Sequence, residues 1–410
     1  MAYWEWNRTG DPHHPHVVVC VHGLSRQGRD FDALAERLSE RARVICPDVV
    51  GRGESDWLQD PTAYQVPLYA ADMLALLAQV HAQAPVEQLD WVGTSMGGLI
   101  GMALAGQPGL PLPAPIRRLV LNDVGPVIEW SALERIGQYL GKGVHFENLE
   151  QAAHALLLIS EGFGPHSEGQ WLRLTRPMVR PAADGGLVLH YDPQIAVPLQ
   201  HMTREMAQAG EALLWQLYDQ IKARVLLVRG AQSDLLTAAT AQAMAQRGPR
   251  ASVVEFDGVG HAPTLMAEDQ VAAVADFLLA AEGLDQEATG VAFLVLRHVF
   301  RCADRDELTA VIEEWMARFS LDLGKRIRSC ALKADAWHHR SDAISSLIAF
   351  LGILATFLLG KGFEKADDWA ALIASFFIVY NAYRIFRPAL GEIMDEHTHH
   401  DLIDKIHLSA

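Results

Sequence analysis

From the start of the chain to about residue 283, short apolar runs rich in β-branched residues alternate with longer stretches rich in alanine and leucine. The short runs are apolar throughout, as expected of strands buried on both faces of a sheet. Strands that alternate with helices predict a parallel sheet covered on both sides, an α/β fold. The predicted strands are residues 17–21, 42–46, 89–92, 118–121, 223–228 and 252–256, and the predicted helices are residues 31–40, 70–81, 98–106, 238–247 and 268–281.

The alternation breaks between about residues 126 and 215, where the chain is helical and polar with glycine-rich loops. An insertion of this size above the strand ends predicts a helical cap over a functional site. We therefore expect domain 1–283 to be an α/β sandwich with a cap at about residues 126–215. Aromatic residues of this cap either line an apolar pocket or form the core of the cap; they are Trp130, Tyr139, Phe146, Phe163 and Trp171.

Two long apolar runs lie near the C-terminus. Residues 343–360 carry no charge, and residues 369–386 are interrupted only by Arg384. Each run has about the length needed to cross the ~30 Å hydrocarbon core of a bilayer. They predict an all-α, two-helix transmembrane hairpin within a domain spanning residues 324–395; a pair of buried core helices is the alternative. Residues 284–323 form an unassigned junction, and residues 396–410 form a polar, histidine-rich tail.

The formal net charge of −16 and the absence of a basic stripe argue against a nucleic-acid-binding surface. The first six residues contain no basic region followed by an apolar core, so we expect no secretory signal. The four cysteines show no paired spacing, which favours reduced thiols in the cytoplasm. They are Cys20, Cys46, Cys302 and Cys330.

The pentapeptide at residues 93–97, Gly-Thr-Ser-Met-Gly, lies between a predicted strand and a predicted helix. A serine in such a strand–turn–helix is held in a strained turn that exposes its hydroxyl, and the flanking glycines let other backbone pass close by. Ser95 is therefore the candidate nucleophile. The alternative is a glycine turn with a purely structural role.

A serine hydroxyl becomes a good nucleophile when a histidine, oriented by a carboxylate, removes its proton. His261 follows the last predicted strand, at the edge where α/β sheets bind ligands. Two carboxylates are candidates for the acid. Asp234 follows the strand at 223–228, and Asp123 follows the strand at 118–121. We expect Asp234 to be the acid, with Asp123 as the alternative.

Acyl transfer also needs hydrogen-bond donors for the oxyanion, each worth about 3 kcal/mol of barrier. The backbone N–H of Met96, directly after the serine, is one candidate. The backbone N–H of Leu24, in the loop after the first predicted strand, is the other. This chemistry requires no metal and no organic cofactor.

Five segments in the expected order resemble the α/β-hydrolase superfamily, over about residues 3–281. The resemblance implies an α/β-hydrolase sandwich, a helical cap and a Ser95–Asp234–His261 triad. It is closest to small carboxylesterases and lactonases, which implies a small ester or related acyl substrate. The segments are residues 22–24, residues 48–55, residues 93–98, residues 229–230 with Asp234, and residues 260–261.

His338 and Asp342 are four residues apart, so on a helix they share one face and supply half of a tetrahedral zinc site. A polar cluster at a helix start is the alternative. Residues 327–342, 380–384 and 388–395 resemble the cation diffusion facilitator family, a match covering about residues 320–410. The resemblance implies that His338 and Asp342 bind Zn²⁺ or another divalent cation. Two ligands and two helices do not make a transport path, so we do not expect transport by this chain alone.

Basic residues before the first apolar run and after the second place both ends of the hairpin in the cytoplasm by the positive-inside rule. The sequence therefore predicts a serine hydrolase that cleaves a carboxylic ester and is tethered to the cytoplasmic face of the plasma (inner) membrane. The tether could pair with a second copy or with other transmembrane helices. The alternative hypotheses are a fragment of a metal-cation efflux transporter, a metal-binding membrane protein, or a joining of two truncated genes.

Overall fold

The computed structural model describes residues 1–280, which lie within the first of two units of the chain, Met1–Gly283. The strands are β1 (Tyr3–Trp6), β2 (His16–Val21), β3 (Arg43–Pro47), β4 (Gln88–Thr94), β5 (Ile116–Asn122), β6 (His145–Phe146), β7 (Val179–Pro181), β8 (Leu187–Leu189), β9 (Arg224–Gly230) and β10 (Ser252–Phe256). The helices are α1 (Asp32–Leu38), α2 (Val66–Gln83), α3 (Met96–Gly106), α4 (Trp130–Tyr139), α5 (Leu149–Ile159), α6 (Glu168–Thr175), α7 (Val197–Gln200), α8 (Arg204–Gln220), α9 (Ala238–Gln246) and α10 (Glu268–Leu279).

Seven strands form one sheet in the order β1-β3-β2-β4-β5-β9-β10. β1 runs antiparallel to β3, and the other neighbouring strands pair in parallel. All six predicted strands are present, within a few residues of their predicted ends. The parallel arrangement brings the carboxyl ends of β2, β4, β5, β9 and β10 to one edge, where the loops that follow these strands can meet.

The sheet separates two apolar cores. Neighbouring residues of β4 show this directly, because Trp91 packs into the core on one face and Val92 into the core on the other. Helix α3 contacts both α2 and α8 on the first side, and α1 contacts α10 on the second. Burial on both faces explains why these strands are apolar throughout instead of alternating.

The predicted cap at about residues 126–215 corresponds to the segment between β5 and β9. It contains helices α4 to α8 and also a three-stranded antiparallel sheet, β6-β8-β7, which the sequence pattern did not predict. These strands are two or three residues long, too short for a periodic signal. Helix α8 extends beyond the expected end of the cap and returns to pack on α3.

Among residues 1–280, no helix has the length and apolar character needed to span a bilayer. The predicted spans at residues 343–360 and 369–386 lie outside the described residues. The same holds for the junction, the tail, His338 and Asp342.

Candidate active site

Ser95 lies at the sharp turn between β4 and α3, with φ +51° and ψ −114°. A non-glycine residue in such a conformation costs about 1–3 kcal/mol, which the surrounding structure must offset. The backbone N–H of Ser95 donates to the carbonyl of Asn122 on the neighbouring strand β5, at 2.9 Å. A side chain at Gly93 would collide with the backbone of Gly97, so the turn closes only with glycine there. The sequence motif thus produces the exposed, strained serine that it predicts.

His261 stands between Ser95 and a carboxylate. Its Nε2 lies 3.1 Å from Ser95 Oγ, and its Nδ1 lies 2.7 Å from Oδ2 of Asp123. Because an ionised carboxylate only accepts hydrogen bonds, the proton of the neutral imidazole is on Nδ1 and Nε2 is free to accept the serine proton. The described residues therefore contain an aligned serine, histidine and aspartate.

Asp123 is fully buried directly after β5, and three donors hold its carboxylate. Oδ1 accepts from the backbone N–H of Gly230 at 2.9 Å, and Oδ2 accepts from the hydroxyl of Ser233 at 2.6 Å as well as from His261. These three hydrogen bonds fix the position of the carboxylate.

Asp234 occupies a different place from the one expected for the acid. Its carboxylate binds the guanidinium of Arg135 on α4, through Nε at 2.7 Å and Nη2 at 2.9 Å, and 46% of its side chain is exposed. The expected partnership of Asp234 with His261 is corrected to Asp123, the alternative candidate. Strands β5 and β9 are neighbours, so both aspartates follow strands that end at the same edge, and sequence position alone did not separate them.

The backbone N–H groups of Leu24 and Met96 are both available. Met96 is the first residue of α3, so its N–H has no acceptor within the helix. Within residues 1–280, the N–H of Leu24 donates to no other backbone group. His22 holds the preceding peptide, because its Nδ1 donates to the Gly23 carbonyl at 2.7 Å while its Nε2 accepts from the N–H of Val49 at 2.9 Å. Burial lowers the pKa of His22 to about 3, so the ring is neutral at pH 7.

A cleft lies between the sheet edge and the cap, with about 1050 Å³ of open space including its mouth. Ser95 and His261 line it from below. Of the five cap aromatics, Tyr139 and Phe163 line the cleft, whereas Phe146 and Trp171 are buried in the cap. The apolar part of the lining includes Leu156, Ile159, Leu174, Met178 and Leu189.

A family model described as the alpha/beta hydrolase fold matches residues 16–265. The chain belongs to the α/β-hydrolase family. A 3-hydroxybutyrate-oligomer hydrolase of Cupriavidus necator is 50% identical over 284 residues, which are 68% of this chain and 93% of that protein. A solved structure of an α/β hydrolase from Novosphingobium aromaticivorans has a TM-score of 0.58 and 38% identity, and the match covers 67% of this chain and 92% of the other. The resemblance to the α/β-hydrolase superfamily predicted from the sequence is confirmed by this family model. The resemblance to the cation diffusion facilitator family is confirmed by a second family model.

The second family model, a cation efflux transmembrane domain, matches residues 308–394 of this hydrolase. An uncharacterized transporter of Methanocaldococcus jannaschii is 41% identical over 78 residues, which are 19% of this chain and 26% of that protein. The match covers a minor part of either protein. It associates the C-terminal part of the chain with a membrane domain.

Arg52 belongs to the segment at residues 48–55, and its role in this hydrolase site was not predicted from the sequence. Its side chain is fully buried, and its Nε donates to the Leu24 carbonyl at 2.8 Å. Nη1 donates to the Val50 carbonyl at 2.7 Å and to the hydroxyl of Tyr69 at 3.0 Å. Burial lowers the pKa of Arg52, and the interaction with the Tyr69 hydroxyl, to which Arg52 donates, opposes that shift. His22 and Arg52 thus hold the carbonyls on either side of the Leu24 N–H.

The described part of the chain, residues 1–280, contains no group of three or more histidine, cysteine or acidic side chains arranged to hold a metal ion. The candidate half-site, His338 and Asp342, lies beyond it.

Proposed function

We propose that this chain hydrolyses carboxylic esters through a triad of Ser95, His261 and Asp123. The observation that carries the proposal is the pair of hydrogen bonds on the two nitrogens of His261, one to Ser95 Oγ and one to Asp123 Oδ2. This is the arrangement in which a histidine can take the serine proton while a carboxylate stabilises the resulting imidazolium.

In the proposed reaction, Ser95 Oγ attacks the ester carbonyl carbon while Nε2 of His261 takes the hydroxyl proton. The carbonyl oxygen becomes an oxyanion, which the N–H groups of Leu24 and Met96 stabilise. When the intermediate collapses, His261 gives its proton to the leaving oxygen, which departs as an alcohol, and the acyl group stays on Ser95. A water molecule then attacks the acyl carbonyl with His261 as base, and its products are the carboxylic acid and free Ser95. No step needs a cofactor.

We infer the substrate class from the relative in C. necator, which is named a 3-hydroxybutyrate-oligomer hydrolase. The match with this chain covers nearly the whole length of that relative. The proposed substrates are short linear esters of 3-hydroxy acids. The apolar lining of the cleft supports this choice, because the repeating unit of such an ester carries a methyl group and no charge.

The test uses the purified full chain and a linear 3-hydroxybutyrate dimer and trimer. We expect release of 3-hydroxybutyrate, and covalent labelling by a fluorophosphonate probe. Ser95→Ala should abolish labelling and lower the rate by about 10⁴-fold or more. Ser233→Ala is a poor control because Ser233 binds Asp123. The control is instead Ser167→Ala, since Ser167 lies directly before helix α6 of the cap and is remote from Ser95 in the chain. Labelling that survives in Ser95→Ala would contradict the assignment.

We also propose that residues 308–394 anchor the hydrolase at the cytoplasmic face of the plasma membrane. The match to the cation efflux transmembrane domain and the two apolar runs support this proposal. Fluorophosphonate labelling of separated membrane and soluble fractions tests it. We expect the labelled band in the carbonate-washed membrane fraction, and a label confined to the soluble fraction would refute the anchor.

The same match favours a second candidate function, divalent-cation binding by His338 and Asp342. Four ligands complete a zinc site, so two copies of the chain, or a partner helix, would have to supply the second pair. Equilibrium dialysis of the detergent-solubilised full chain with Zn²⁺ tests the proposal. Binding that is the same in His338→Ala would contradict it.

A further inference from the structure

Charged side chains line part of the otherwise apolar cleft beside Ser95. Two arginines, Arg26 and Arg135, line it. Among the lining residues of the described part of the chain, Asp30 is the single carboxylate and lysine is absent. Both arginines also form ion pairs with aspartates, so the cleft has no surplus of positive charge, but a guanidinium in an otherwise apolar cleft is a candidate binding group for a carboxylate.

Arg26 forms an ion pair with Asp30. Its Nε and Nη2 bind the two carboxylate oxygens of Asp30 at 2.6 and 2.7 Å, and its guanidinium lies over the ring of Phe163. Only 11% of its side chain is exposed. Arg26 therefore ties the loop after β2 to the cap, and Asp30 neutralises its charge.

Arg135 is more open. Its side chain is 38% exposed, and its Nε and Nη2 donate to Asp234, which lies on the loop after β9. Nη1 binds no carboxylate of the described residues, and the hydroxyl of Tyr139, also in the lining, lies beside the guanidinium. One carboxylate thus orients a guanidinium that lines the cleft.

The loop that carries Asp234 links Arg135 to the partner of His261. Asp234 follows Ser233 in the chain, and the hydroxyl of Ser233 binds Asp123, the partner of His261. In ester hydrolysis the histidine gives its proton to the leaving oxygen, so the leaving group departs on that side. Arg135 and His261 line the same cleft, so Arg135 is the candidate for contact with the alcohol half of the substrate.

We propose that Arg135, oriented by Asp234 and assisted by Tyr139, binds the free carboxylate of the leaving 3-hydroxy acid. This rests on the proposed function, because it specifies which ester bond of the oligomer is cleaved. In a linear 3-hydroxybutyrate oligomer the terminal carboxylate is three bonds from the last ester oxygen. Recognition of that carboxylate selects the last ester bond, so the enzyme releases one hydroxy acid at a time from the acid end and holds the neutral acyl chain in the apolar part of the cleft.

The experiment compares the linear dimer with its methyl ester, in which the carboxylate is blocked. We expect kcat/KM for the free acid to exceed that for the methyl ester by about 10- to 100-fold, the range expected of a hydrogen-bonded ion pair. Arg135→Gln should bring the ratio close to one, and Arg135→Lys should restore part of it. Arg247→Gln is a matched control, because Arg247 also forms a two-bonded pair with an exposed aspartate, Asp219, outside the cleft.

The ratio is measured on one preparation, so a misfolded fraction lowers both rates equally and does not move it. A trimer with an isotopic label in its acid-end unit gives a second readout, and labelled monomer should be the first product. Equal rates for the free acid and the methyl ester in the wild type, an unchanged ratio in Arg135→Gln, or labelled dimer as the first product would overturn the inference. Failure to hydrolyse either ester would instead refute the proposed function.

Discussion

The substitution Asp123→Asn, compared with Asp234→Asn, tests which of the two aspartates that follow neighbouring strands is the catalytic acid. The amide oxygen of the new side chain would remain with the N–H of Gly230, which needs an acceptor. Its NH₂ group would then face Nδ1 of His261, where the carboxylate now accepts a hydrogen bond. Nδ1 must become the acceptor, so the imidazole proton moves to Nε2 and that nitrogen can no longer take the proton of Ser95.

The magnitude follows from this change of tautomer. The corresponding substitution in a well-studied serine protease lowers kcat by about 10⁴-fold, and we expect a loss of this order here, about 5.5 kcal/mol of barrier. Asp234→Asn leaves the bonds of Asp123 intact and removes a pair whose two side chains are 46% and 38% exposed. Such a pair contributes about 0–1 kcal/mol, so we expect at most about a fivefold loss on a neutral ester.

The assay is kcat on p-nitrophenyl butyrate at pH 7.5, with folding checked by circular dichroism. Asp219→Asn, which breaks an exposed pair with Arg247 outside the cleft, is the control and should match the wild type. The reasoning is refuted if Asp234→Asn loses a thousandfold or more while Asp123→Asn loses less than tenfold.

Three further predictions concern the supports of the site. Gly93→Ala should lower the free energy of unfolding by about 3 kcal/mol or more in urea titrations, because the added methyl group collides with the backbone of Gly97, whereas Gly169→Ala on α6, which meets nothing within 4 Å, should not. Arg52→Met should lower kcat on p-nitrophenyl butyrate about 10- to 100-fold and also destabilise the fold, since it leaves the buried carbonyls of Leu24 and Val50 without donors; a kcat equal to that of wild type would contradict this. Between pH 6.5 and about 3, His22 is protonated in the unfolded chain and neutral in the folded chain, so the free energy of unfolding falls as the pH is lowered through this window. The Tm of His22→Gln should therefore fall less steeply from pH 7 to 4.5 than the Tm of the wild type.

The sequence was sufficient for features that depend on local pattern. A buried parallel strand needs an unbroken apolar run, and each of the six predicted runs is a strand of the main sheet. The turn at Ser95 is also local, since its glycines, its strand and its helix are adjacent in the chain. The small sheet of the cap has strands too short to leave such a pattern.

The choice of the acid depends on contacts between residues far apart in the chain. Gly230 and Ser233 bind Asp123 across more than a hundred residues, and no spacing within the sequence reports those bonds. The role of Arg52 is hidden for the same reason, because its partners come from the loop after β2 and from α2. One signal was present: Asp123 follows its strand directly, whereas three residues separate Asp234 from the end of β9.

That difference in position explains why the two carboxylates do different work. A side chain directly after a central strand is enclosed by the neighbouring strand's loop, and Asp123 is accordingly fully buried and held by three donors. A buried carboxylate needs hydrogen-bond donors in place of water, and these three groups supply them. Asp234 lies further out, where solvent screens its charge and the cap is within reach. Because His261 has its partner in Asp123, Asp234 is free to bind Arg135, which lines the cleft. The same loop therefore supports the proposed catalytic acid through Ser233 and positions the proposed carboxylate-binding group through Asp234.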